Sequence, residues 1–259
     1  MTGWDEGSGV DVRLDGPVAE VTLDDEPHRN GITAALREAL PRALRYVHEE
    51  TPARAIVLRG RPEVFCSGGT YDELVAENPV RTPLAWDFVT APAMCPLPVI
   101  AAAQGAAVGG GLLLALYADL TVLSDSSGYA ANFMGYGFTP GLGATYLLPA
   151  VFGRALGTEM LYTARPYRGR ELAARGAASL VVAHDAVPDQ ARRAAERVAR
   201  APREAVELLK RQIAGPRLRS ARAAFRRELP SHISTLTSAE ARRRITSGLA
   251  GLVVEKETA

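Results

Sequence analysis

The sequence predicts an α/β core followed by a helical C-terminal part, and three observations carry that prediction. Short apolar runs such as Ala55–Leu58 and Val99–Ala103 read as buried strands. Two strand ends, Phe65–Thr70 and Val108–Leu112, run into glycines and then into helix-forming residues. From Gly153 onward helical periodicity takes over, interrupted by one strand-like run at Leu180–Ala183.

The elements follow in order. Val10–Leu14 and Val18–Leu23 alternate apolar and polar residues around Asp15-Gly16-Pro17, which reads as a β-hairpin. Residues 24–31 form a polar loop. Leu36, Leu40, Leu44 and Val47 recur at helical spacing within Thr33–Val47. Ala55–Leu58 leads to the glycines at 68–69, after which Thr70 can cap a helix. Val99–Ala103 leads to Gly109-Gly110-Gly111 and a helix over Leu112–Ala118, and Leu120–Ser124 is a further strand. Pro140-Gly141 marks a turn before a helix at Leu142–Val151. Helices are then expected over Arg154–Tyr162, Arg168–Arg175, Ala186–Ala199, Arg203–Ile213 and Leu218–Ile245, with Pro230 bending or breaking the last.

Composition excludes several classes of function. The chain has 259 residues, 47% hydrophobic and 23% charged, as a globular protein does. A net charge of +1 gives no case for nucleic acid or an anionic membrane surface. No apolar run reaches the roughly 18–20 residues of a membrane span. The N-terminus lacks the apolar stretch of a signal peptide, so a cytoplasmic location is expected. Cys66 and Cys95, together with four scattered histidines, show no metal-ligand spacing.

The two glycine junctions carry the chemistry. Glycine lets a ligand approach the backbone closely, and the N–H groups of a helix's first turn favour negative charge. Glycines at such a junction also serve simply to pack a helix on a sheet. Two junctions about 40 residues apart in one domain could converge on one atom. Two N–H groups at one point make an oxyanion hole, suited to a thioester carbonyl that becomes an enolate.

Over nearly its full length the chain resembles the crotonase (enoyl-CoA hydratase/isomerase) superfamily. The resemblance is carried by FCSGGT (65–70), PVIAAAQGAAVGGGLLLALYADL (98–120) and GFTPGLGAT (137–145). It implies a crotonase spiral of ββα units over 1–195 and a helical C-terminal trimerisation part over 196–259. It also implies an acyl-thioester substrate, with the enolate held by the N–H groups of Gly69 and Gly110, and no metal or redox cofactor. Hydratases of this superfamily carry two catalytic glutamates where this chain has Leu113 and Phe133. Without those carboxylates no base is evident for activating water. An apolar wall instead suits a substrate that brings its own carboxylate.

Within the superfamily the chain is most similar to the decarboxylating homologues of polyketide β-branching cassettes. NFMGYGFTPGLGAT (132–145), YRGREL (167–172) and ELPSHISTLTSAEARRRI (228–245) carry this closer likeness. It implies decarboxylation of a 3-methylglutaconyl group on an acyl carrier protein, with a CoA thioester hydratase or isomerase, or a non-catalytic carrier-binding scaffold, as alternatives. His232 falls where that branch has a catalytic histidine. Lysines common in the branch are replaced by Tyr71 and Gly135, which leaves Tyr71, His232 or an arginine to hold the carboxylate. Thr70, Tyr71, Asn132, Phe133 and Leu113 are the candidate substrate-binding residues. Thr70 reads equally as a helix cap, and Asn132 equally as a turn residue. Trp86, Phe88, Tyr136 and Phe138 are candidates for the acyl pocket or for core packing. The resemblance further implies a homotrimer, or a hexamer of paired trimers.

Overall fold

The computed structural model describes residues 8–75, 85–177 and 180–247. The hairpin of β1 (Val10–Asp15) and β2 (Val18–Leu23) forms as expected, and α1 (Ala34–Glu50) follows. Three strand pairs come next, each with one strand in either sheet. They are β3 (Ala55–Arg59) and β4 (Val64–Cys66), then β5 (Val99–Ala103) and β6 (Ala106–Val108), then β7 (Leu120–Ser124) and β8 (Gly128–Ala130). Helices close the turns: α2 (Tyr71–Val75) and α3 (Trp86–Met94) after the first pair, and α4 (Gly110–Tyr117) after the second. A short 3-10 turn (Asn132–Tyr136) and α5 (Ala144–Phe152) follow the third. This repeat is the ββα spiral that the resemblance implies.

The remaining elements are α6 (Arg154–Thr163), β9 (Tyr167–Arg168), α7 (Gly169–Ala174), β10 (Leu180–Val182), α8 (Val187–Val198), α9 (Arg203–Leu236) and α10 (Ala239–Thr246). The larger sheet runs β1-β2-β3-β5-β7-β10, parallel except for the hairpin. The smaller runs β4-β6-β8-β9, with β9 antiparallel. The main core includes residues of both sheets with α1, α3, α4 and α5. A second cluster packs the amphipathic α8 on the other face of the larger sheet through Ala191, Ala194 and Ala195. The expected boundary at 195/196 falls inside α8. No described helix is long and apolar enough to cross a membrane.

The C-terminal helices depart from expectation. One helix, α9, runs through both Pro216 and Pro230, and the break comes at Thr237, where Ser238 caps α10 by accepting the Ala241 N–H. Proline removes one helical hydrogen bond, but side chains on both sides of each proline are anchored elsewhere. Lys210 donates to the carbonyl of Pro92 at 2.7 Å and pairs with Asp119. Arg217 donates to the carbonyls of Tyr117 and Ala118, and His232 to that of Thr139. Asp119, partly exposed, also accepts the Val99 N–H at 2.8 Å, so its pair with the buried Lys210 fastens α9 to the start of β5.

Removing the buried lysine strips the pair's charge and leaves the carbonyl of Pro92 without its donor, and a lost hydrogen bond to a charged group costs about 1.5–3 kcal/mol. Lys210→Met is therefore expected to lower the urea midpoint markedly with no change in the slope. An unchanged midpoint would show that Lys210 does not fasten the helix.

Candidate active site

Strands β4 and β6 pair in parallel, with Val64 opposite Ala106 and Cys66 opposite Ala107. Gly69 and Gly110 each lie three residues beyond the second of these pairs, so the pairing brings the two glycine junctions side by side. A Cβ on Gly68 would stand 2.5 Å from the Val108 carbonyl oxygen and 3.5 Å from the Gly110 nitrogen. A Cβ on Gly111 would meet the Cys66 carbonyl oxygen at 2.1 Å, so α4 can approach β4 only through glycine. Gly68 (φ +84°) and Gly109 (φ +54°) occupy backbone that side chains disfavour.

The N–H groups sort cleanly. Gly109 donates to the Ala130 carbonyl at 2.8 Å, and the Leu113 N–H returns to the Gly109 carbonyl. Among the described residues, the N–H groups of Gly69 and Gly110 have no backbone or side-chain acceptor. Both glycines line one cavity of about 120 Å³, together with Ile32, Leu74, Leu142 and Leu236. Gly110 is the first residue of α4, so the helix dipole adds to its pull on negative charge.

The loop over residues 24–31 is fixed against this site by Asn30. Its amide nitrogen donates to the carbonyls of Leu23, Val64 and Phe65, and its oxygen accepts the Asp25 N–H at 2.8 Å. Asn30 is wholly buried and has a left-handed backbone, a conformation that asparagine tolerates. The Ile32 N–H then donates to the Gly68 carbonyl, tying this loop to the first junction.

His232 and Phe133 line the same cavity as the glycines. The His232 Nδ1 lies 2.7 Å from the Thr139 carbonyl oxygen, which can only accept, so Nδ1 carries a proton and Nε2 is the free nitrogen. Burial pushes the imidazole below the ordinary histidine range, against the opposing effects of the Thr139 carbonyl and the Glu228 carboxylate. Phe138 meets the His232 ring edge to face at 5.4 Å, and Phe133 meets Phe138 likewise at 6.1 Å.

The other candidates separate. Tyr136 and Phe138 line the cavity, whereas Phe88 is core and Trp86 stacks on Phe225 at 4.8 Å. Leu113 is fully buried and lies off the cavity wall. Thr70 and the exposed Tyr71 line a second, larger groove, and the Thr70 hydroxyl caps α2 by accepting the Glu73 N–H. That groove measures about 880 Å³ and shares Ser67, Gly69, Asn132 and Tyr136 with the cavity. His28, Arg29, Arg168 and His184 stand along it. The Asn132 amide oxygen lies 2.9 Å from where a Cβ on Gly109 would stand, so that glycine leaves room for the amide at the junction of cavity and groove.

Two residues on the cavity wall escaped the sequence reading. Arg37 on α1 and Glu73 on α2 form a two-pronged ion pair at 2.9 and 3.1 Å. They are 36 residues apart, and no local pattern connects them.

Residues 13–256 match the family model for enoyl-CoA hydratase/isomerase. The chain belongs to that family. It is 35% identical to the bacillaene synthase decarboxylase PksI of Bacillus subtilis (strain 168), over 93% of this chain and 96% of that protein. The ECH2 decarboxylase domain of CurF from Lyngbya majuscula is similar in structure, with a TM-score of 0.86, 33% identity, and 93% and 99% of the two chains covered. A structure described with a dehydratase/decarboxylase enzyme couple of polyketide β-branching superposes with a TM-score of 0.89 at 33% identity, covering 95% of this chain and 98% of that one.

Neither cysteine suits a nucleophile's role. Burial pushes the Cys66 thiol up to about 12 and the Cys95 thiol up to about 11. The native protein at mildly alkaline pH is thus expected to resist Ellman's reagent, and the unfolded chain to react at both thiols. Rapid labelling of Cys66 in the native state would reopen a covalent role.

Proposed function

We propose that this protein is a carboxy-lyase that decarboxylates a 3-methylglutaconyl-type thioester on an acyl carrier protein during polyketide β-branching. The observation that carries the reading is a pair of uncommitted N–H groups, those of Gly69 and Gly110, facing an apolar cavity that also holds His232. Phe133 supplies that apolar wall where hydratases of the family carry a glutamate. The decarboxylase relatives, matched over nearly the whole chain, support the same reading.

The acyl group occupies the cavity, with the thioester oxygen between the two glycine N–H groups. Its polar arm runs out along the groove past Asn132, Thr70 and Tyr71. The bond to the terminal carboxylate breaks, and CO2 leaves. The electron pair passes through the conjugated double bond to the thioester oxygen, giving a dienolate. Removing one such oxyanion donor typically costs about 2.7–4 kcal/mol.

One proton must then return to carbon. Because Nδ1 is tied to Thr139, the proton in play is on Nε2 of His232. The incoming substrate carboxylate favours the charged imidazolium, and burial favours release of that proton once CO2 has gone. Arg37, the guanidinium on the described wall, is already paired with Glu73, so the counter-charge for the entering carboxylate is the imidazolium of His232. The homotrimer or hexamer stays part of the proposal. Leu209 and Ile213, exposed one turn apart on α9, support a face that a second copy covers.

Intact mass spectrometry of a loaded carrier tests the reaction. Loss of CO2 from the 3-methylglutaconyl carrier, with the 3-hydroxy-3-methylglutaryl carrier unchanged, is the expected result. Loss of water from the second carrier would overturn the argument from Phe133 and Leu113. His232→Gln is expected to lower kcat by about 10²-fold or more while the carrier still binds. Full turnover in that variant would remove the histidine from the mechanism.

A further inference from the structure

Glu228 is buried on α9 and lies off the cavity wall, yet among the described residues every bond of its carboxylate goes to one turn of chain. One oxygen accepts the Gly143 N–H at 2.7 Å. The other accepts the Thr145 N–H at 2.8 Å and the Thr145 hydroxyl at 2.6 Å. These N–H groups belong to the cap and first turn of α5, where a negative charge is favoured by the helix dipole. The side chain thus caps a helix other than its own.

The same stripe of α9 continues to hold this segment. His232, one turn on, donates from Nδ1 to the Thr139 carbonyl. Thr235, nearly a further turn on, accepts the Thr139 N–H at 2.9 Å through its hydroxyl. Residues 228, 232 and 235 share one helix face, so α9 grips the 139–145 segment at both ends. Between the grips, Gly141 lies flat on the imidazole, and a Cβ there would stand 2.9 Å from Nδ1.

We propose that Glu228 is a positioning residue for His232: it fixes the turn whose carbonyl holds Nδ1, and its charge favours the imidazolium that delivers a proton from Nε2. The inference rests on the role given to His232 above. The Thr139 carbonyl and, to a smaller extent, the Glu228 charge favour the protonated imidazole, opposing the effect of burial. The other titratable groups around the site are differently engaged. Tyr136 lies on the cavity wall, Arg37 is paired with Glu73, Tyr117 donates to the Leu142 carbonyl, and Arg244 packs against Gly137.

The test is an NMR titration of the four histidines in Glu228→Gln, which keeps the shape and one acceptor but not the charge. The His232 pKa is expected to fall by on the order of half a unit or more. The signals of His28, His48 and His184 should stay in place. The alkaline limb of kcat/KM should move to lower pH by the same amount, because less imidazolium remains at each pH. A folded variant with an unmoved His232 titration overturns the proposal and leaves Glu228 as a helix cap, even if turnover drops at all pH values. Should that variant not fold, Glu228→Asp decides. It keeps a charge but withdraws it from Gly143 and Thr145, so the plateau must fall by on the order of tenfold as the imidazole loses its alignment. A plateau at the wild-type level overturns the proposal. The titration needs no turnover, so it still places Glu228 if the wild-type protein releases no CO2.

Discussion

The parallel pairing of β4 with β6 is the constraint on which the rest of the site depends. Two ladder positions, Cys66 opposite Ala107 and Val64 opposite Ala106, bring two chain segments into step. The glycines that follow let the segments approach within distances that no side chain would permit. A slip of this ladder by one residue would separate the N–H groups of Gly69 and Gly110 and leave each facing a different place. The buried Asn30, which holds the neighbouring loop to the carbonyls of β4, and the Ile32 bond to Gly68 both brace the same ladder.

Around that point the structure divides polar from apolar. The cavity that meets the two amides has aromatic and aliphatic walls, and its described charged residues are the paired Arg37 and Glu73. The groove beyond it adds serines, a threonine, arginines, histidines and the acids Glu63, Asp72 and Asp185 to its apolar residues. On the proposed reading an acyl group takes the first and a polar arm the second, with Asn132 where they meet. In the proposed reaction His232 alone carries the proton, and its surroundings fix which nitrogen does so. With Nδ1 held by a backbone carbonyl, the imidazole has one nitrogen left, and the surrounding rings restrict where it points.

Much of this was legible in the sequence because it is local. The hairpin, α1, the long strands and the glycine junctions each announce themselves within a few residues. The strands of the smaller sheet span only two or three residues, too short for any periodicity to declare them. Helix α3 is buried almost all round and contains Pro92, so it shows neither an amphipathic stripe nor an uninterrupted pattern. The continuity of α9 through Pro230 is set by anchors elsewhere in the chain, such as Thr139 and Asp119. The pair Arg37–Glu73 is likewise a product of tertiary contact. Glu228 carried a weak local signal, standing four residues before His232 on a helix, but its partners lie more than 80 residues away.

Two backbone amides that polarise a thioester carbonyl leave a mark that infrared spectroscopy reads directly. The probe is a carrier loaded with a 3-methylbutanoyl thioester labelled with carbon-13 at the carbonyl, which cannot lose CO2. The carbonyl stretch is expected to move to lower frequency on binding, as hydrogen bonds from Gly69 and Gly110 draw charge onto the oxygen. A saturated complex whose carbonyl stretch matches that of the free carrier would contradict it.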